Sequence, residues 1–531
     1  IVTGKAHYVH DMNMPGMLHA RVVRPPHYHA SLKSIDEGRV ARLEETGVTV
    51  IRDGSFIAVT HEDEYQAIKA RDRMAAAINW DLADGLPSQD LYEALTSNAR
   101  DSKLLIDGIP QEAPIPNLGE PPIEATATLS ARFEKPYIMH GSIGPSAAMA
   151  LSENRQLKIW CHSQGIYPLR ASTAEVFEMD PEDVIIEHVL GSGCYGHNGA
   201  DDVAFDAALI ARTIPGKPIL LKWTREDEHA WEPYGSAMVM ELRGSLDSSG
   251  NIIDWSHDTY SDTHNMRPAP GPNKLGPGRL LATRYMESAI PPAPPQQSGG
   301  AHNGKHRNQD PLYTFPNRRI VKHMVEGLPL RVSALRALGA YGNVFALESF
   351  IDEMAEEAGV DPVEFRLRNL EDERAKAVVK AAADLLYAGP ELKDGVGRGI
   401  AFAQYKNCKA YAAVGIELEV TEDAEIKLLR AVTAADAGHV VDPNGIVMQL
   451  EGGVLQAASW TLYEEVIYDA GGVTSRDWDT YPILRFDNVP EMESVVMDRP
   501  GDPFLGAGEG TSAPTVAAIA NAIYNATGLR L

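Results

Sequence analysis

Short apolar runs of strand length alternate with longer helical patterns along this chain, and this alternation limits the possible folds more than any other feature. Near the amino terminus, three β-like runs (Leu18 to Val23, Val48 to Ile51 and Phe56 to Val59) are interleaved with helical patterns over residues 62–77 and 89–99. Apolar residues that recur about every 3.6 positions favour a helix, whereas short β-branched runs favour a strand. The chain is therefore predicted to be a mixed α/β protein.

The same alternation continues through the rest of the chain. Two Asp-Pro pairs, Asp180-Pro181 and Asp361-Pro362, predict helix starts, because Asp can cap free amides and Pro fits the first helical turn. Residues 344–358 predict a helix with one buried apolar face, and residues 514–527 predict a closing helix.

The length of 531 residues predicts two or three domains, since single hydrophobic cores stop growing at about 250–300 residues. A stretch rich in Pro and Gly, residues 107–122, reads as a linker. We therefore place domains at 1–118, 119–385 and 386–531. Residues 267–300, also rich in Pro and Gly, are expected to wrap the surface or contact another subunit.

The net charge of -26 argues against nucleic acid as a partner, because an acidic surface repels phosphate backbones. No apolar run reaches the roughly 18–20 residues of a membrane span, so any membrane anchor is expected on a partner. Residues 1–6 lack an initiator Met and a signal-peptide profile, so we expect an incomplete amino terminus.

The three cysteines, Cys161, Cys194 and Cys408, are too few and too scattered for a disulfide scaffold. They also cannot hold an iron-sulfur cluster, which typically takes four thiolates. Any such cluster is expected on another chain.

The sharpest local motif is Gly191-Ser-Gly-Cys-Tyr-Gly196, which matches G-x-G-x-x-G between a predicted strand and a predicted helix. A dinucleotide site would also need an acidic residue about 20 positions later, where Gly216-Lys217-Pro218 stands instead. A tight turn, a nicotinamide site and a loop for another cofactor all remain open. Next to this motif, His197, Asp201 and Asp202 suit a helix cap and first turn better than a metal site.

Several segments, in a fixed order, resemble the molybdenum hydroxylases of the xanthine dehydrogenase and aldehyde oxidase family over nearly the whole chain. Their residues are most similar to the nicotinate dehydrogenase and isoquinoline oxidoreductase branch. The segments are Phe133 to Ala148 with its Pro-Tyr-x-x-His pattern, Ile159 to Gln164, Gly191 to Gly196, Ser333 to Gly339, Val447 to Gly453, and Leu505 to Gly510 followed by a helical run.

The resemblance implies a small α/β hammerhead-like amino-terminal domain and a large molybdopterin-binding domain in two parts. It implies that Glu509 is a general base, and that Arg336 stabilises negative charge or anchors a substrate carboxylate. The cofactor-binding residues that it implies are Gln164, Gly193, Cys194, Tyr195, Gly196, Gln449 and Gly508.

Two departures from the family pattern stand out. Cys194-Tyr195 replace the family's Phe-Gly beneath the metal, and the Gly-Gly-x-Glu-x-Gly-Gln-Gly stretch that grips the pterin is absent from Gly399 onward.

The implied activity is hydroxylation, with water, of an N-heteroaromatic ring carbon, with a nicotinate-like substrate favoured. The implied cofactor is molybdenum with molybdopterin in its cytosine dinucleotide form. The implied partners are a small 2Fe-2S iron-sulfur subunit and a cytochrome c or flavin subunit that accepts electrons, in the cytoplasm or at the inner membrane through a partner. An aldehyde oxidoreductase, a nicotinamide-dependent dehydrogenase and a non-catalytic assembly subunit remain as alternatives.

Overall fold

The computed structural model describes residues 8–530, so the expectation about residues 1–6 lies outside the described residues. Within that part the chain forms an α/β structure of mixed sheets covered by helices, and the predicted fold class is confirmed. The helices are α1 (Glu37–Glu44), α2 (Glu64–Ala75), α3 (Leu91–Ser97), α4 (Ile166–Phe177), α5 (Ala200–Thr213), α6 (Arg225–Trp231), α7 (Gly339–Glu357), α8 (Pro362–Asn369), α9 (Glu373–Tyr387), α10 (Pro443–Leu462) and α11 (Ser512–Thr527).

The strands fall into three larger sheets and three two-stranded pairs among the described residues. Those that precede residue 200 are β1 (Leu18–Val23), β2 (Ser31–Ile35), β3 (Thr49–Asp53), β4 (Phe56–His61), β5 (Ile78–Asp81), β6 (Arg100–Ile106), β7 (Ile109–Gln111), β8 (Ala127–Lys135), β9 (Ala147–Glu153), β10 (Gln156–Cys161) and β11 (Val184–His188). Those that follow are β12 (Ile219–Lys222), β13 (Tyr234–Gly235), β14 (Met238–Leu246), β15 (Ile252–Ser261), β16 (Arg318–Val325), β17 (Val332–Ser333), β18 (Val396–Gln404), β19 (Tyr411–Val420), β20 (Ile426–Asp436), β21 (Tyr468–Asp469), β22 (Gly472–Val473) and β23 (Glu491–Met497).

The first sheet has seven strands in the order β11-β10-β9-β12-β1-β4-β3, and the second has six in the order β7-β6-β16-β15-β14-β8. Each sheet therefore combines strands from both sides of residue 118. The predicted boundary at that residue is crossed twice by strand pairing, and the division into domains stays a prediction.

The third sheet has the order β18-β19-β20-β23, with α11 packed against β18 and β19 and α9 packed against β19 and β20. Glycines in β18 allow the close approach of α11, because a Cβ on Gly399 would lie 2.2 Å from the carbonyl oxygen of Ala518. Helix α11 also contacts α7, which lies on β14 and β8 of the second sheet. The two helices thus join the second and third sheets. The loop before α7 and the loop before α11 therefore lie close together.

Local sequence explains where several of these helices begin. The Asp361 side chain accepts hydrogen bonds from the amides of Val363 and Glu364, and Asp442 accepts one from Gly445, with Pro at the first helical position in both cases. The predicted apolar face of α7 is confirmed as core: its members, Val344, Leu347, Phe350, Ile351 and Met354, are all buried.

One local prediction is wrong, and another holds for only part of its segment. Asp180-Pro181 starts a single 3-10 turn, Pro181–Asp183, because the β-branched residues that follow pair with β10 as strand β11. The stretch over residues 267–300 does not simply wrap the surface: Leu280 and Leu281 are buried in the main core, and the Leu281 amide donates to the Asp202 carboxylate at 2.8 Å. Within residues 8–530, no helix is both long and apolar enough to span a bilayer.

Candidate active site

Four loops and one helix meet above the carboxyl ends of β10 and β11. These two strands are parallel neighbours, so Gln164 after β10 and the glycine loop (residues 191–196) after β11 emerge at the same edge. The arginine loop (residues 334–338) lies between β17 and α7, and the glutamate loop (residues 505–510) precedes α11. Helix α10 and the turn after β18 close the remaining sides.

These elements enclose a cavity of about 700 Å³. Seven of the nine residues predicted for the site line it, although they come from five separate places in the sequence. They are Gln164, Tyr195, Gly196, Arg336, Gln449, Gly508 and Glu509. The other two predicted residues, Gly193 and Cys194, lie in the glycine loop but not on the wall of this cavity.

Backbone hydrogen bonds join the glycine loop to the arginine loop. The His197 amide donates to the Ala334 carbonyl at 2.7 Å, and the Arg336 amide donates to the Tyr195 carbonyl at 2.8 Å. Gly196 stands between them with φ of +138°, and a Cβ there would lie 2.0 Å from the Ala334 oxygen. Only glycine fits this position, because the conformation and the close contact both exclude a side chain.

The Arg336 side chain ties the arginine loop to the glutamate loop and to α10. Its Nε donates to the Gly508 carbonyl at 2.8 Å, and Nη2 donates to the same oxygen. Nη2 also contacts the Gln449 carbonyl at 3.2 Å, and Nη1 donates to the Gln456 side chain at 3.1 Å. Burial lowers the pKa of this guanidinium, although the nearby Glu509 charge opposes the shift. All three guanidinium nitrogens of Arg336 thus donate to other groups of the protein.

Glu509 follows Gly508, to which Arg336 is hydrogen-bonded, and its own side chain is also held in place. Its Oε1 accepts a hydrogen bond of 2.8 Å from the Ala337 amide. Ala337 and Leu338 both have positive φ, at 71° and 50°, so two successive residues with side chains adopt a costly conformation. Strain of this kind persists where the surrounding contacts fix the backbone, as they do here.

The turn after β18 places a tyrosine and a lysine beside Glu509. Burial raises the pKa of the Tyr405 hydroxyl strongly, and the Glu509 charge adds to the rise. The same hydroxyl accepts a hydrogen bond from Arg307. Burial and the positive charge of Arg307 lower the pKa of Lys406, whose side chain also lines the cavity.

Sequence reasoning missed three cations on the cavity wall: Arg267, Arg307 and Lys406. Together with Arg336 they face one lining carboxylate, Glu509, so the cavity is strongly positive in a chain of net charge -26. None of the three belongs to a recognisable motif, and Arg267 opens the stretch that was expected at the surface. No signal in the sequence marks them.

Cys194 bonds within the glycine loop and does not line the cavity. Its Sγ donates to the Gly196 carbonyl at 3.2 Å, and burial raises the pKa of the thiol to about 11. Asp201 and Asp202 lie in the first turn of α5, as the spacing predicted, whereas His197 precedes the N-cap residue Gly199. Asp202 pairs with Arg331 at 2.7 Å.

The polar groups that line the cavity suit an anionic cofactor that itself supplies the ligands to a metal. Four amide side chains, the close-packed backbone at Gly196 and four cations line the cavity. No group of three or more His, Cys, Asp or Glu side chains within the described range could hold a metal ion. A metal bound through the dithiolene of a pterin needs no such group, and its phosphate matches the positive wall.

Comparison with known families gives two matches, both described as a molybdopterin cofactor-binding domain. One covers residues 120–273 and 293–370, and the other covers residues 347–490. Gln164, the glycine loop, Arg336 and Gln449 lie within these ranges, whereas Gly508 and Glu509 lie beyond them.

Known proteins are similar over nearly the whole chain. A nicotinate dehydrogenase component from Pseudomonas putida is 36% identical, over 99% of this chain and 44% of its own length. The beta chain of isoquinoline 1-oxidoreductase from Brevundimonas diminuta is 24% identical, over 92% of this chain and 61% of its own length. The chain thus spans less than two thirds of either relative.

The fold is shared with solved structures. Quinoline 2-oxidoreductase from Pseudomonas putida 86 superposes with a TM-score of 0.75 at 14% identity, covering 99% of this chain and 94% of its own. At that identity the likeness shows the fold alone.

Proposed function

This chain belongs to the xanthine dehydrogenase family of molybdopterin-binding proteins, and from that premise we propose that it hydroxylates a ring carbon of an N-heteroaromatic substrate with oxygen from water. The observation that carries the proposal is the placement of Glu509, Gln164 and Arg336 on the wall of one positive cavity. The names of two similar proteins, nicotinate dehydrogenase and isoquinoline 1-oxidoreductase, favour a nitrogen heterocycle.

Gln164, the backbone of Tyr195 and Gly196, Gln449 and Gly508 would hold the cofactor on the cavity wall. We propose its cytosine dinucleotide form. When bound, the molybdenum centre supplies the two-electron redox chemistry that amino acid side chains cannot. The protein then contributes binding, orientation and control of protons.

Glu509 acts as the general base in this proposal. Its Oε1 accepts a hydrogen bond from the Ala337 amide, which orients the carboxylate to accept the proton from the water-derived nucleophile. Arg336 acts as a positioning residue, because its donors fix the Gly508 carbonyl and therefore the glutamate loop. The positive wall as a whole attracts an anionic substrate, and Arg307 and Lys406, on the side of Glu509, stabilise negative charge on the attacked ring.

These 531 residues hold three cysteines in separate places, so the proposed electron path continues outside this part of the protein. We propose a small 2Fe-2S subunit as the first acceptor and a cytochrome c or flavin subunit as the next, in the cytoplasm or at the inner membrane through a partner. The nicotinate dehydrogenase and isoquinoline 1-oxidoreductase relatives are each named as one component of a larger complex, which supports this arrangement.

The test is metal and nucleotide analysis of the purified complex, followed by assays with pyridine-3-carboxylate and with benzaldehyde. We expect about one molybdenum per chain, cytidine monophosphate released by acid, and a larger kcat/KM for the heterocycle. A folded, fully assembled complex without molybdenum would contradict the proposal. Preference for the aldehyde would instead favour an aldehyde oxidoreductase.

A further inference from the structure

We propose that Arg267 forms a subsite for a carboxylate group on the substrate, so that the cavity selects carboxylated heterocycles over neutral ones. This inference rests on the proposed function and names the substrate class more closely. Arg336 was the residue expected to anchor a carboxylate, but its side chain already donates to Gly508, Gln449 and Gln456.

The surroundings of the other two cations on the cavity wall, Arg307 and Lys406, argue against either of them as the site for a substrate carboxylate. The Arg307 guanidinium is buried and donates to the Tyr405 hydroxyl and, from Nε at 3.4 Å, to the His302 carbonyl. Lys406 lies beside Glu509, so an anion held there would compete with the general base. Both residues therefore suit a role at the base better than a role in holding substrate.

Arg267 differs because one donor of its guanidinium is both buried and, within residues 8–530, unpaired. Nη2 donates to the Gln164 side-chain oxygen at 2.7 Å, whereas Nη1 is buried and has no hydrogen-bond partner among the described residues. Leaving a buried charged donor without a partner is costly. The planar fork of a guanidinium matches the two oxygens of a carboxylate, which would satisfy the unpaired donor.

Two hydrogen bonds fix the backbone at Arg267 and at the residue before it. The Arg279 side chain donates to the Arg267 carbonyl at 2.9 Å, and the amide of the preceding residue, Met266, donates to the Ser333 hydroxyl at 2.9 Å. A subsite built on a fixed backbone can orient a small ring. Because Arg267 also holds the oxygen of the Gln164 amide, the nitrogen of that amide is left to donate into the cavity.

The experiment compares pyridine-3-carboxylate with its neutral carboxamide in the purified complex, for wild type, Arg267→Met and Arg267→Lys. We expect Arg267→Met to raise KM for the carboxylate roughly 100-fold with kcat nearly unchanged, since a buried ionic contact is lost. KM for the carboxamide should change little, and Arg267→Lys should recover part of the preference. Arg39→Met, at an exposed site on α1, is the matched control.

Binding without turnover provides the second measurement. Benzoate carries the carboxylate but no ring nitrogen, and its calorimetric Kd should weaken in Arg267→Met in parallel with KM. If Arg267→Met keeps the wild-type preference for the carboxylate, or if Lys406→Met abolishes it instead, the inference is overturned. If the wild type oxidises neither heterocycle, the proposed function fails, while benzoate binding still decides the subsite.

Discussion

The carboxylate of Glu509 accepts a hydrogen bond of 2.8 Å from the backbone amide of Ala337, a residue 172 positions earlier in the chain. This contact joins the loop before α11 to the loop before α7, two helices that also pack against each other. It fixes one oxygen of the carboxylate, and the Tyr405 hydroxyl lies beside the same group. The proposed base is therefore oriented by the fold before any ligand binds.

Replacing Glu509 by Gln should remove the base and keep the hydrogen bond to Ala337. We expect kcat to fall roughly 100- to 10,000-fold, the usual contribution of a general base. Molybdenum content and the thermal unfolding midpoint should stay at wild-type values. Glu112→Gln, at a largely exposed carboxylate, serves as the control. Retained activity in Glu509→Gln would remove this residue from the mechanism.

Replacing Arg336 by Met should loosen the glutamate loop, because the hydrogen bonds to Gly508, Gln449 and Gln456 are lost together. Misplacement of a catalytic group by about 1 Å can reduce the rate roughly 100-fold, so we expect a loss of that size in kcat with a smaller change in KM. Arg336→Lys should recover only part of it, since Lys cannot form the same planar set of contacts. An increase in KM alone would indicate that Arg336 binds substrate directly.

Replacing Gly196 by Ala should destabilise the site strongly. The added Cβ would lie 2.0 Å from the Ala334 oxygen, at a backbone φ of +138°. We expect a loss of about 3 kcal/mol or more in the free energy of unfolding, together with reduced molybdenum content. Gly216→Ala is the matched control: its φ is +80° and no atom lies within 4 Å, so about 1 kcal/mol is expected. Equal effects in urea denaturation would refute the steric argument.

Glu464 predicts a pH effect on stability. Burial raises its pKa from 4.5 to about 7, while hydrogen bonds from Ser459 and Tyr481 oppose the rise. The folded chain thus binds more protons here than the unfolded chain between pH 4.5 and 7, and the free energy of unfolding falls as pH rises through that range. Glu464→Gln removes this dependence.

The difference in unfolding free energy, variant minus wild type, should therefore increase by about 2 kcal/mol from pH 5 to pH 7. Urea denaturation at both pH values measures it, with Glu465→Gln, at the exposed neighbour, as the control. A difference that stays constant with pH would show that Glu464 is ionised in the folded protein throughout.

The sequence predicted those parts of the site that lie in local motifs. The glycine loop, the arginine loop and the glutamate loop each combine a distinctive pattern with a neighbouring strand or helix, and the structure brings all three to one cavity. Arg267, Arg307 and Lys406 were missed because no periodicity or motif surrounds them. Their proximity arises from tertiary packing that sequence patterns do not encode.

The fold, like the site, could be predicted only where it depends on local sequence. Helix α8 with its Asp cap and helix α7 with its apolar face were predicted, because capping and amphipathicity are local properties. The pairing of β1 with β12, which joins β1, β4 and β3 to the later strands of the first sheet, was not, since strand order depends on contacts between distant segments. For the same reason, residues 267–300 looked like a surface segment although Leu280 and Leu281 pack into the core.

The source of the oxygen in the product tests the central proposal most directly. The purified complex would be incubated in ¹⁸O-labelled water with pyridine-3-carboxylate and an artificial electron acceptor, and the product would be examined by mass spectrometry. We predict a hydroxylated ring that carries one ¹⁸O atom from water. A hydroxylated product without the label, or no oxidation of the ring by a complex loaded with molybdenum, would contradict the proposal.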